Sequence, residues 1–200
     1  MLTTEFHIDM GGKYHEKEDC FIGYVERQTS LIRKGLILRK TILKAIEKKF
    51  GLIKNIAPAI HAAVIFLLLK DHALTCAEKI VLCEDYHFSK VHAGLSVLLS
   101  SNEDVLMKFE SLFDYRARCG ENIGSYADTF VSTAYKHRKK AKNIHRRHEV
   151  FDNFHYLKHQ DIIHCLEVIL SNNPPVQITK SKMTFRDQKY LNTSQLYVYQ

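Results

Sequence analysis

From Thr4 to Met10 apolar and polar residues alternate and then stop at Gly11-Gly12, which predicts a strand running into a turn. A charged link, Lys13 to Asp19, leads to Cys20-Phe21-Ile22-Gly23-Tyr24-Val25, a second strand, and Leu36-Ile37-Leu38 supplies a third. Three successive strands predict an antiparallel meander. From Thr41 the spacing becomes helical, with Ile42, Leu43, Ile46 and Phe50 on one face and a stop at Gly51. A second helix is expected from about Pro58, and its residues Ile60 to Leu69 are apolar nearly all round, as in a helix buried against a sheet. Lys79 to Leu82 enters Cys83-Glu84-Asp85 as a short dense apolar run, the pattern of a central parallel strand. Phe88 to Leu99 reads as a helix, whereas Val105 to Tyr115 fits either a helix carrying Leu106, Phe109 and Phe113 or a strand around Leu112-Phe113. Gly124-Ser125 opens a helix through about Lys142, with Ala127, Phe130, Val131 and Ala134 inward. Ile162 to Leu170 is amphipathic, Asn172-Asn173-Pro174-Pro175 is a break, and the polar remainder ends in a strand-like Leu-Tyr-Val-Tyr.

A chain of 200 residues that is 46% hydrophobic is long enough for one packed core, and it contains no internal repeat. The expected organisation is an α/β domain over residues 1–150 and a C-terminal helical extension over 151–200. A net charge of +7 points to a polyanionic partner, nucleic acid above all. The five cysteines are odd in number, show no Cys-x-x-Cys spacing and follow no secretory leader, so a reducing, cytoplasmic setting is expected. The longest apolar run, Ala62 to Leu69, falls far short of the ~20 residues that span a bilayer, and no membrane partner is expected.

The candidate chemistry lies in acids at element ends. Asp9 sits on the first strand, Glu84-Asp85 ends the fourth, and Asp128 stands in the helical Tyr126-Ala127-Asp128-Thr129-Phe130. Strand parity puts Cys83 and Asp85 on one face and Glu84 on the other, which favours Asp85 as the middle acid. This element order, with Ile80-Val81-Leu82-Cys83-Glu84-Asp85-Tyr86 as the fourth strand and the Ala-Asp helix late in the chain, resembles the ribonuclease H-like superfamily of RuvC-type resolvases, transposases and integrases. The resemblance covers roughly residues 4–142 and implies a mixed sheet flanked by helices. It also resembles a family of unknown function associated with phages and mobile elements, in which the first strand continues Asp-Glu-Ser-Gly where this chain has Asp9-Met10-Gly11-Gly12.

What the resemblance implies is a nuclease or related phosphoryl-transfer enzyme that hydrolyses phosphodiester bonds by a two-metal mechanism. Asp9, Asp85 and Asp128 would hold Mg2+ or Mn2+, Glu84 is the substitute for Asp85, and Glu47 is the candidate fourth acid. Clustered carboxylates repel one another unless a cation lies between them, and hard oxygen donors suit these ions. The run from Lys136 to Arg147 offers Lys136, Arg138, Lys139, Lys140, Lys142, Arg146 and Arg147 to a phosphate backbone.

Each residue also has an ordinary reading. Asp9 would begin a turn, Glu84-Asp85 would cap a helix near Tyr86, Asp128 would occupy a favourable first turn, and the cations would solvate a helix end. His137, His145, His148, His155, His159 and His164 lack the closed ligand pattern of a zinc site, and His15, His87 and His92 are sequence neighbours of the acids with nothing to select one as a proton carrier. Cys83 and Cys119 would need a depressed thiol pKa to act as nucleophiles, and Cys83 reads better as a small core residue. Two other functions fit the pattern: a noncatalytic nucleic-acid-binding or mobile-element accessory protein, and a helical interaction module in which the acids never meet.

Overall fold

The computed structural model describes residues 4–16, 18–29, 31–71, 73–83, 86–100, 102–116, 126–140 and 152–172. Strands β1 (Glu5–Gly11), β2 (Cys20–Glu26) and β3 (Arg33–Leu38) form the expected antiparallel meander, with Asp9 opposite Gly23 and Gly23 opposite Gly35. Strand β4 (Lys79–Cys83) pairs parallel to β1, and β5 (Phe113–Arg116) pairs parallel to β4. Strand β6 (Phe154–Tyr156) adds parallel to β3. The result is a six-stranded mixed sheet in the order β5-β4-β1-β2-β3-β6, and the protein is of the α/β class.

Seven α-helices accompany the sheet among the described residues: α1 (Lys40–Phe50), α2 (Ile53–Leu69), α3 (Ala73–Cys76), α4 (Phe88–Leu99), α5 (Glu103–Leu112), α6 (Tyr126–Lys140) and α7 (His159–Asn172). Pairing alternates the side chains of each strand between two faces. On one face Phe6, Ile8, Ile22, Tyr24, Leu36, Leu38, Ile80 and Leu82 join residues of α1, α2, α4, α5 and α7 in one large core. Helix α2 packs against β2, β3, α1, α4 and α7, which is why it is apolar nearly all round. At Gly94 of α4 an added Cβ would lie 2.8 Å from the Ala62 Cβ of α2, so these two helices approach closely. Among the described residues no single helix is long and apolar enough to cross a membrane.

Three local outcomes differ from the periodicity. Helix α2 begins at Ile53 and contains Pro58, which forfeits one intrahelical bond that the surrounding burial outweighs. The ambiguous Val105–Tyr115 stretch resolves as both elements, helix α5 followed directly by β5. Strand β6 lies in the segment expected as an extension, and beyond it Ile162, Cys165, Leu166 and Ile169 of α7 enter the same large core. The Asp19 carboxylate accepts a hydrogen bond of 2.6 Å from the Lys40 N–H, capping α1 from a distant part of the chain.

Candidate functional site

The opposite face of the sheet is covered differently. There Phe21, Ile37, Val131, Ala134 and Phe154 form a small second core under α6. Ala127, Val131 and Ala134 recur at helical spacing and are fully buried, so α6 lies flat on β1 and β2. Glycines make the approach close. A Cβ on Gly23 would lie 2.7 Å from the Phe130 ring, one on Gly11 would lie 3.0 Å from Val131, and Gly35 lies beneath the Phe154 ring. Phe130 and Phe154 stack with centroids 4.6 Å apart, and the Arg33 guanidinium lies 5.8 Å from the Phe130 centroid.

Gly23 is the cross-strand partner of Asp9, so seating Phe130 on Gly23 brings the start of α6 to β1. Asp128, in the first turn of α6, is exposed but close enough for its negative charge to act on Asp9. Asp9 is half-buried, and its Oδ1 accepts a 2.7 Å hydrogen bond from the Met10 N–H. Burial is the main force pushing the Asp9 carboxyl up to about 6; the Met10 N–H opposes it, the Asp128 charge adds to it, and a hydrogen bond with the Cys83 thiol opposes it. Asp9 and Cys83 stand at the carboxyl ends of adjacent parallel strands, the edge where open α/β sheets bind ligands. Further down the same face of β1, His7 Nε2 lies 2.6 Å from Glu5 Oε1, and Arg27 pairs with the other oxygen of Glu5 at 3.2 Å.

Thus Asp128 lies within electrostatic reach of Asp9, and the Cys83 thiol is hydrogen-bonded to Asp9. Cys83 packs against a polar group rather than in a purely apolar core. Glu84 and Asp85 lie outside the described residues, and the N-cap of α4 is His87. Glu47 is half-buried on α1, a helix whose Ile42, Leu43 and Ile46 belong to the core on the other face from Asp9. Lys136 is exposed on α6, and Arg138, Lys139 and Lys140 belong to the same helix by backbone. Lys142, Arg146, Arg147, Cys119, His145 and His148 lie outside the described residues. Among the described residues no three His, Cys, Asp or Glu side chains form a group that could hold a metal ion.

One polar cluster has no counterpart in the motif pattern. His61 is buried in α2, its Nδ1 lies 3.0 Å from the Tyr14 hydroxyl, and Tyr14 stacks on Tyr86 with centroids 5.3 Å apart. Burial pushes the His61 imidazole down to about 3, so it is neutral at ordinary pH. The sequence signal was a histidine interrupting an otherwise apolar helix. No protein family, curated protein or solved structure matches this chain.

Proposed function

We propose that this chain is a divalent-metal-dependent nuclease or related phosphoryl-transfer enzyme with a ribonuclease H-like sheet, acting on DNA or RNA. The observation that carries the reading is the approach of Asp128 to Asp9, from a late helix and the first strand, at the carboxyl ends of parallel strands. An antiparallel meander followed by a parallel fourth strand supports the same layout. A half-buried carboxylate next to a second negative charge is a site that a cation would stabilise, and its oxygen donors suit Mg2+ or Mn2+. Asp85, two positions past Cys83 in the sequence, is the proposed third acid, with Glu84 as its substitute. Asp9 and Asp128 would hold the ions, and the thiol of Cys83 would orient Asp9. Bound metal would supply activated water and neutralise charge on the leaving oxygen. Lys136 and the cations that follow it to Arg147 would hold the phosphate backbone beside the acids.

The test is cleavage of single- and double-stranded DNA and RNA with Mg2+ or Mn2+, comparing wild type with Asp128→Asn. A loss of about 100-fold, the scale on which removing one charge-stabilising group shows in catalysis, is expected. Equal activity in the two proteins rejects the role of Asp128. Salt-sensitive binding that survives loss of the acids, with no cleavage by wild type, points instead to the noncatalytic nucleic-acid-binding protein.

A further inference from the structure

We infer that Tyr14, His61 and Tyr86 form a clasp that sets the two acid-bearing strand ends relative to each other, an inference that rests on the proposed reading of the acids. Strand β1 leaves the sheet through Gly11 and Gly12, the latter with φ of 91°, and the chain turns at once into the single 3-10 turn Tyr14–Glu16. Tyr14 is wholly buried there. Strand β4 ends at Cys83, and Tyr86 follows three positions later. The two tyrosine rings are parallel within 8°, and the Tyr14 N–H points to the Tyr86 hydroxyl at 3.4 Å. His61 touches both, through its hydrogen bond to the Tyr14 hydroxyl and a ring contact of 5.1 Å with Tyr86. Three elements therefore meet in one polar cluster: the exit of β1, the exit of β4, and helix α2 of the main core.

Filling this space does not require such groups. Aliphatic side chains would bury as much surface without desolvating a hydroxyl and an imidazole, whereas a buried hydrogen bond and a stacked pair fix direction as well as distance. Direction is what carboxylates that share an ion require, because an error of ~1 Å in placement costs about 100-fold in rate. Tyr14, His61 and Tyr86 are thus positioning residues that touch no substrate.

The experiment compares wild type, Tyr86→Leu and Tyr86→Phe by hydrogen exchange and by the Mn2+ concentration that half-saturates cleavage. In Tyr86→Leu the amides of residues 10–14 and 86–88 should exchange faster together, by about 10-fold, while those of β2 and α2 keep their protection. The Mn2+ midpoint should rise ~10-fold, and Tyr86→Phe, which keeps the ring, should restore most of both. Faster exchange confined to residues 86–88 overturns the clasp, as does loosening of both segments with an unchanged Mn2+ midpoint. Wild type that shows no cleavage and no Mn2+ response rejects the metal reading instead, and the exchange pattern then decides the clasp alone. Should Tyr86→Leu fail to fold, Tyr14→Phe, which removes only the hydroxyl bonded to His61, is read by the same criteria.

Discussion

On one side of the sheet Ile8, Ile22, Leu36 and Leu38 lie under α1, α2, α4 and α7, and large aliphatic side chains fill the space between. On the other side α6 lies over Gly11 and Gly23, while Phe154 covers Gly35. The first face gains from volume. The second gives it up, and in return a helix bearing Asp128 comes close to the strand bearing Asp9. The two faces differ in kind: burial on the thick face is largely aliphatic, whereas the thin face retains Asp9 with a carboxyl raised to about 6.

The largest effect should come from the thick face. Leu68→Ala, at a position only 1% exposed, should cost about 3–4 kcal/mol in urea unfolding while leaving the titration of Asp9 unchanged. Gly23→Ala should cost about 1–3 kcal/mol, because the new methyl meets Phe130 at 2.7 Å. It should also move the Asp9 carboxyl back toward its ordinary value as the start of α6 retreats, which a carboxyl-detected titration would show. Unchanged stability and titration would mean that α6 is not seated on the glycines.

Asp9→Asn should stabilise the metal-free protein by about 2 kcal/mol at pH 7.5. The sign follows from the raised pKa: above about 6 the folded wild type holds a disfavoured anion, and between 6 and the ordinary 3.8 it takes up a proton that the unfolded chain does not. Wild type therefore gains stability as pH falls through this window, and the advantage of the variant should disappear by about pH 4 in thermal unfolding across that range. The smallest change is expected on the solvent side of α1 and α7. Lys49→Gln removes an exposed, solvent-screened ion pair with Glu167 and should leave the midpoint of the same urea assay essentially unmoved.

The sequence made the thick face readable because its signals are periodic and long: α1 and α4 follow helical spacing, and the all-round apolar character of α2 marks burial. Pro58 hid the true start of α2, since the helix tolerates it one turn further in than a first-turn proline. The thin face was harder. Strand β6 is only three residues long and depends on pairing with β3, a long-range contact with no local signature. Gly23 and Gly35 did carry a signal, since glycine inside a strand marks close approach, but the partner that approaches is named only by the fold. Asp9 and Asp128 were identifiable as acids on separate elements, yet their meeting depends on Phe130 seating on Gly23, and no spacing in the chain encodes that contact. His61 and its tyrosines belong to three distant segments and were invisible as a unit.

The central proposal is that Asp9 and Asp128 form a carboxylate pair able to share a divalent cation. It is tested most directly by following the Asp9 carboxyl by NMR as pH is varied, in wild type, in Asp128→Asn, and in wild type with saturating Mg2+. The expected midpoint is about 6 in wild type, lower in the variant, and depressed well below the wild-type value by Mg2+. One midpoint in all three samples, unmoved by Asp128 and by the cation, would contradict the account.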